Sequence, residues 1–280
     1  MQIHGRWRLA RATRHWLPRV VATSILAVAA HQAAAADWPD HERLTRDQVV
    51  AALAAAPGAP VSFYAKNLSD LDLSGIDFKG ANLSAAVLNG SNLTGANLSR
   101  SNLTVSFAEG ANLTNANLRG AMMFSTQLGG AILVGADLSG ARLIGDLRRA
   151  TLERAVLRNM DAAADMKNQS MGLMRANLAS ANLRGADLSG SDFSRGDFSF
   201  CDLSGARLVG AKLRAAEFGG TDLRGADLSG ADLSGSKFID TDFTDANLAG
   251  ADFTGATLRG VRGLDKANTR GTRGLEGLSR

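Results

Sequence analysis

The sequence has almost none of the side chains that serve as catalytic bases or as soft metal ligands. All four histidines precede residue 61, and Cys201 is the only cysteine, so residues 61–280 lack an imidazole base and a cysteine pair. A zinc site, a Ser-His-Asp triad and an intramolecular disulfide therefore have no ligands or partners in that region. We expect no enzymatic activity and no cofactor.

Proline and aromatic residues are also scarce. The four prolines precede residue 61, and residues 61–280 have no tryptophan and a single tyrosine, Tyr64. This disfavours a sugar-binding surface, which usually presents stacking aromatics. Asp202, Asp222 and Asp242 recur every 20 residues. A cation-binding column is one interpretation of these carboxylates, and we favour the other, that aspartate is a turn residue of a repeat.

The first 36 residues have the pattern of a signal peptide. A basic stretch ends at Arg19, an apolar run covers Val20 to Ala30, and four alanines precede Asp37. We expect cleavage near Ala36, a periplasmic or secreted protein, and no stable membrane span afterwards. An uncleaved anchor is the alternative, because residues 16–36 are almost long enough to span a bilayer. Removing the five arginines of residues 1–36 changes the net charge from +4 to −1, so nucleic-acid binding through a basic surface is not expected.

Leucine or phenylalanine recurs at every fifth residue over most of the remaining chain. One block runs from Leu68 to Leu143 and a second from Leu173 to Leu258. A small residue stands two positions before each centre, Asn or Asp usually lies between them, and Gly often ends the unit. A period of five fits neither a helix nor a strand. It is the period of a chain that turns after each short extended piece and winds into a solenoid.

These units resemble those of the pentapeptide-repeat family, A(D/N)LXX, across residues 66–258. The resemblance implies an all-β solenoid, a right-handed quadrilateral β-helix with four repeats per coil and about ten coils. Thr45 and Gln48 form a capping-box pattern, so we expect a short N-terminal capping helix within residues 37–65. The spacing fails at 144–172, which we interpret as a bulge or short loop. Within it, Arg148, Arg149, Arg154 and Arg158 form either a basic patch or, as we favour, a solvated loop. We interpret the basic tail, residues 259–280, as flexible.

Two sets of residues are singled out by their place in the 20-residue coil. Phenylalanines 20 residues apart should stack in the core as a ladder: Phe198, Phe218 and Phe238. Apolar residues at positions that are usually polar should form an outward patch: Val87, Val105, Phe107, Met122, Phe124 and Ile144. Ile132 and Val134 should lie on another side. A partner, a second copy of the chain, or a covering segment could occupy the patch.

The sequence therefore favours a non-catalytic exported scaffold that binds a protein or cell-envelope partner through an outer side of the rod, with a homodimer as a further possibility. The alternative is a protein that mimics DNA and occupies a topoisomerase, as some pentapeptide-repeat proteins do. The signal peptide and the net charge near zero argue against that alternative.

Overall fold

The computed structural model describes residues 38–164 and 174–275. The chain divides into two units, residues 1–39 and residues 40–280. The predicted signal peptide lies outside the described residues. Within the described ranges, no helix is both long and apolar enough to cross a membrane.

The unit Ser91–Gly95 shows how five residues build one side of a coil. Ser91 and Leu93 point inward and are buried. The Leu93 N–H donates to the carbonyl of Asn112 in the next coil (2.7 Å), and the Asn92 N–H donates to the carbonyl of Leu71 in the preceding coil (2.8 Å). The backbone groups are thus satisfied between coils, which is what allows the chain to bury a leucine every five residues.

The same unit ends in a turn that its polar residues stabilise. The side-chain oxygen of Asn92 accepts a hydrogen bond from the Thr94 N–H (3.2 Å). Gly95 takes the left-handed conformation with φ of 64°, and the Ala96 N–H then closes on the Leu93 carbonyl (3.0 Å). Asn or Asp before the centre and Gly at its end are therefore the residues that this turn needs.

Parallel bridges join residues 20 apart, so the described coils have four sides. Side A has the column Ser62, Asn82, Asn102, Met122 and Arg142; side B has Asn67, Val87, Phe107, Gln127 and Asp146; side C has Asn92, Asn112, Ile132, Thr151 and Asn182; side D has Asn97, Asn117, Asp137, Val156 and Asp187. Each column continues to the C-terminal coils, with a spacing that departs from 20 at the coil of residues 147–161, at the insertion that follows it and at the last level of sides A and D. Followed along the described residues, the columns hold ten or eleven levels.

The core is a continuous stack of the central leucines and phenylalanines. The predicted ladder is confirmed: the rings of Phe198 and Phe218 are stacked at 5.1 Å and 5°, and those of Phe218 and Phe238 at 4.9 Å and 8°. Phe243 and Phe253 extend this aromatic core, with ring centroids 5.2 and 5.5 Å from Phe238. Sequence spacing missed these last contacts because they join different sides of the coil.

A nine-residue helix, α1 (Arg46–Ala54), precedes the first coil. Thr45 is its N-cap: the Thr45 hydroxyl accepts from the Gln48 N–H, and the Gln48 side chain accepts from the Thr45 N–H (2.7 Å). The predicted capping box is therefore present. Val49 is fully buried and belongs to the same core as the leucine stack.

The break in the repeat begins with one missing residue between strands β1 (Met122–Gln127) and β2 (Arg142–Asp146). Phe124 pairs with Ile144 but Thr126 pairs with Gly145, so the pairing skips Ser125. Ser125 has φ of 55° and forms a β-bulge. This bulge explains why the leucines of the next coil, Leu147, Leu152 and Leu157, come one residue early.

The frame is restored by an insertion of eleven residues. Asp146 pairs with Asn177 and Asp161 pairs with Asp192, 31 residues apart in place of 20. The extra residues lie between Asp161 and Asn177. Because one lost and eleven gained residues amount to two units of five, the later block keeps the original frame. Residues 147–161 form a regular coil, so the irregular range is narrower than the predicted 144–172.

The C-terminal region also differs from the prediction. Strands β3 (Lys237–Ile239) and β4 (Thr257–Arg259) pair in parallel, and the columns continue through Arg262, Asn268 and Arg273. Described residues beyond 258 thus add to the solenoid and are not a flexible tail. Half-buried apolar side chains such as Leu264 pack against the core and hold this last coil.

Candidate interaction surface

Side A turns into side B at a corner with apolar side chains where most units have polar ones. Met122 on side A is 51% exposed and Val105 at the turn is 47% exposed. Phe124 on side A and Phe107 on side B are half-buried. The Val105 N–H donates to the Phe124 carbonyl (2.8 Å), so these residues lie on successive levels. We call Val105, Phe107, Met122 and Phe124 the apolar corner.

Val87, which the sequence assigned to this outward patch, is fully buried. The chain before helix α1 forms an additional level on side B, where the Asn67 N–H donates to the Glu42 carbonyl (2.9 Å). His41 Nε2 lies 3.2 Å from the carbonyl oxygen of Ala85, at the same corner. This segment crosses the levels around Val87. The chain before helix α1 thus reaches the end of the predicted patch at which Val87 lies.

Ile144 is also buried, with 1% of its surface exposed. It borders an open cleft of about 330 Å³ where the inserted segment returns to side B. The cleft is lined by Ser125, Gln127, Ile144, Gly145, Asp146, Arg148, Met174, Arg175 and Asn177. The outward patch is therefore smaller than predicted. As predicted, Ile132 lies on another side, in the side C column.

Val105 has an unfavourable backbone conformation for its type. Its φ is 59°, and it is the only β-branched residue with positive φ in the described ranges. The left-handed conformation costs about 1–2 kcal/mol for an ordinary L-residue, and β-branching makes it worse. Val105 thus combines a strained backbone conformation with a side chain that is about half in solvent.

The family of the chain follows from its repeats. The family model for pentapeptide repeats matches in eight copies, over residues 67–104, 108–140, 173–208, 192–230 and 226–262, more than half of the sequence. The chain belongs to the pentapeptide-repeat family. Proteins of this family form right-handed quadrilateral β-helices and are generally structural or binding proteins, not enzymes.

Several solved pentapeptide-repeat structures are similar to this chain. HetL, involved in heterocyst differentiation regulation in the cyanobacterium Nostoc sp. strain PCC 7120, is 29% identical over 80% of this chain and 96% of its own, with a TM-score of 0.38. Full-length QnrB1, a plasmid-mediated fluoroquinolone resistance protein, is 18% identical over 71% and 88%, with a TM-score of 0.32. A protein of the Arabidopsis thaliana thylakoid lumen is 26% identical over 59% and 70%, with a TM-score of 0.17. No curated protein sequence matches the chain.

The aspartates of the pentapeptide repeats are turn residues. Asp202, Asp222 and Asp242 stack in one column of side C, and each accepts a hydrogen bond from the N–H two residues later, at 3.0, 3.0 and 2.9 Å. The hydrogen bond and charge of Arg224 lower the pKa of Asp222. No group of three or more His, Cys, Asp or Glu in the described ranges is arranged to hold a metal ion.

The four arginines of the predicted irregular segment do not form a basic patch or a loop. They lie on the regular coil of residues 147–161, distributed over its sides. Arg148 forms a bidentate pair with Asp146 (Nη2–Oδ2 2.6 Å), and Arg158 pairs with Asp187 at 2.6 Å. Arg149 and Arg154 take positive φ at the turns, 58° and 54°.

Replacing Asp187 by asparagine is expected to cost about 1 kcal/mol at neutral pH. Burial opposes ionisation of Asp187, but the hydrogen bond from the Ser189 N–H and the ion pair with Arg158 outweigh it and lower its pKa. The ionised form therefore stabilises the fold above the unfolded-state pKa of about 3.9, and this contribution is lost as the pH falls through the folded-state pKa. The asparagine oxygen can still accept from Ser189.

Urea unfolding at pH 7 and at about pH 3 measures this effect. The difference in stability between the Asp187→Asn variant and the unchanged protein should be present at pH 7 and shrink in acid. A difference that is the same at both pH values would assign the effect to packing and not to ionisation.

Cys201 lies inside the coil, two positions before the central Leu203, where most units have a small residue. It is 2% exposed, and its Sγ donates to the Leu178 carbonyl at 2.9 Å. Burial raises the pKa of this thiol to about 12. A thiol in this state is a core residue and not a nucleophile.

Proposed function

We propose that this pentapeptide-repeat protein is a non-catalytic scaffold that binds a protein partner through its apolar corner. The observation that carries the proposal is Val105, an exposed β-branched residue in a left-handed turn beside exposed Met122. Strained and exposed apolar residues reduce stability and solubility, so their presence is best explained by a contact. Aromatic and sulfur-containing side chains such as Phe124 and Met122 are typical contact residues.

The distribution of charge supports this proposal over DNA mimicry. A DNA mimic needs acidic groups that remain unneutralised along the rod, as phosphates are. Here most carboxylates in the second block pair with a cation, for example Arg184 with Asp202, Arg214 with Asp232, Arg224 with Asp222 and Arg262 with Asp242. The paired carboxylates therefore do not form the row of unneutralised charges that a DNA mimic presents.

We also propose that the scaffold acts outside the cytoplasm. The support is the sequence pattern of residues 1–36, with its basic stretch, apolar run and alanines. Intact-mass measurement of exported protein should show the loss of about 36 residues. Recovery of the full mass in the membrane fraction would instead identify an uncleaved anchor.

The double variant Val105→Gly, Met122→Ser tests the apolar corner. Glycine relieves the left-handed strain at position 105, so the variant should fold with unchanged or slightly higher stability. Its affinity for a partner should fall at least about tenfold, as expected when contact residues at the centre of an interface are removed. Affinity capture from the exported compartment, followed by titration of the captured protein, measures this loss.

Ile132→Ser provides the matched control. Ile132 is 40% exposed and occupies the same position of its repeat as Met122, but on side C. The control should bind like the unchanged protein. Equal binding by the folded double variant would exclude the apolar corner as the docking site, whereas equal losses in both variants would indicate nonspecific adhesion.

A further inference from the structure

A second exposed apolar site lies on side B, several levels from the apolar corner. Phe200 is 70% exposed, more than any other large apolar side chain in the described ranges, and its φ is 59°. It is also the only aromatic residue with positive φ there. Other repeats commonly place glycine at this turn position, where it costs nothing.

The ring of Phe200 lies over a gap left by glycine in the next level. A Cβ atom built on Gly220 would come within 2.7 Å of a Phe200 ring carbon. One level further, Ile239 is 41% exposed, and its carbonyl accepts from the Gly220 N–H (2.7 Å). Phe200, whose ring covers the Gly220 backbone, and Ile239 thus form an apolar strip across three levels.

The charges beside this strip change sign along the rod. Asp197 and Glu217 occupy the levels of Phe200 and Gly220, while Lys237 and then Arg259 occupy the next two levels of side B. Arg175 pairs with Asp197 (3.0 Å) and Glu217 (3.4 Å). Lys237 also lies 3.7 Å from Glu217 within the chain. Asp240, at the turn after Ile239, is an exposed acidic residue on the same level as Lys237.

We propose that side B between the levels of Asp197 and Thr257 is a docking surface for a second copy of this chain. A two-fold axis perpendicular to the rod, between the levels of Glu217 and Lys237, exchanges the two levels. Each Phe200 ring, which leans onto the level of Gly220, then faces Ile239 of the other copy. Each Glu217 faces Lys237 of the other copy, so the surface is self-complementary.

The sign change selects the antiparallel arrangement. In a parallel two-fold contact each level meets itself, so Glu217 would face Glu217 and Lys237 would face Lys237, which is repulsive. The apolar part consists of two side chains per copy, which is typical of weak, reversible association. We therefore expect the dimer at the millimolar end of a concentration series from micromolar to millimolar. This contact does not include the apolar corner, and the two proposals are tested independently.

Sedimentation equilibrium over a series from micromolar to millimolar tests the contact. The unchanged protein should pass from monomer to dimer, and Phe200→Gly should raise the dissociation constant at least about tenfold while remaining folded. Arg154→Gly is the control, because Arg154 is also exposed with positive φ (54°) but lies at the turn after side C. A protein that stays monomeric throughout, or a Phe200→Gly variant that dimerises like the unchanged protein, overturns the proposal.

A charge exchange tests the arrangement itself. Glu217→Lys alone and Lys237→Glu alone each bring like charges together at both ends of the contact, so each should dimerise less than the unchanged protein. An equimolar mixture of the two variants brings opposite charges together and should form mixed dimers. Mixed dimers no more abundant than either self-dimer would contradict the antiparallel contact.

Discussion

Replacing Phe218 by alanine is expected to lower the free energy of unfolding by about 3–5 kcal/mol. Phe218 is fully buried and stacks between Phe198 and Phe238 at 5.1 and 4.9 Å. The substitution removes both ring contacts and leaves a cavity that rings on adjacent levels, held by their own coils, cannot fill. Stacked pairs add roughly 0.5–1.5 kcal/mol to the loss from burial alone. Denaturant unfolding followed by circular dichroism measures the change.

Phe218→Leu is the control for this prediction. Leucine is the usual central residue of the repeat and fits the coil, so the loss should stay below about 1.5 kcal/mol. The comparison separates the aromatic column from the need for any apolar residue. If alanine and leucine cost the same, the stacked rings make no special contribution to the core.

Replacing Gly145 by alanine should destabilise the protein by about 1–3 kcal/mol or more. A Cβ atom at this position would lie 2.3 Å from the backbone oxygen of Thr126, so the backbone of the bulge must move. That movement disturbs the hydrogen bond from the Asn177 N–H to the Gly145 carbonyl (3.0 Å). The close approach of the two strands at the bulge thus depends on the missing side chain at this position. Thermal and denaturant unfolding measure the effect.

Gly129→Ala is the matched control, since Gly129 has no positive φ and the nearest atom to an added Cβ is 3.9 Å away. Its stability should change by less than about 0.5 kcal/mol. A harmless Gly145→Ala would mean that the two strands at the bulge are less closely packed than described.

Most of the fold could be predicted from the sequence because one physical requirement recurs in every unit. A leucine such as Leu93 must be buried, and the asparagine and glycine around it satisfy one turn geometry. The period therefore also predicts which residues stack, as Phe198, Phe218 and Phe238 do. The capping box of Thr45 and Gln48 was predictable for the same reason, since its interactions are local.

The exceptions depend on contacts that are distant in sequence. The repeat predicts whether Val87 and Ile144 point into or out of the coil, but not what covers the coil from outside. Val87 is buried where the segment before helix α1 reaches the carbonyl of Ala85, and Ile144 borders the same cleft as Met174 of the returning segment. The insertion after Asp161 kept the frame modulo five, so spacing alone could not give its length.

Val105 and Phe200 share a feature that a pattern search could have used. Both are large apolar residues at the last position of a unit, where the backbone is left-handed and the side chain faces solvent. A count of apolar residues in the sequence does not distinguish these two residues from the leucines of the core. Their position within the unit is what distinguishes them from core residues.

Site-specific photo-crosslinking tests the binding proposal most directly. A photoreactive amino acid in place of Met122 should crosslink a partner protein in the exported compartment, and the same group in place of Ile132 should not. Adding Val105→Gly to the first variant should suppress the crosslink. Crosslinking that is equal from both positions, or unaffected by Val105→Gly, would contradict the assignment of the apolar corner as the docking site.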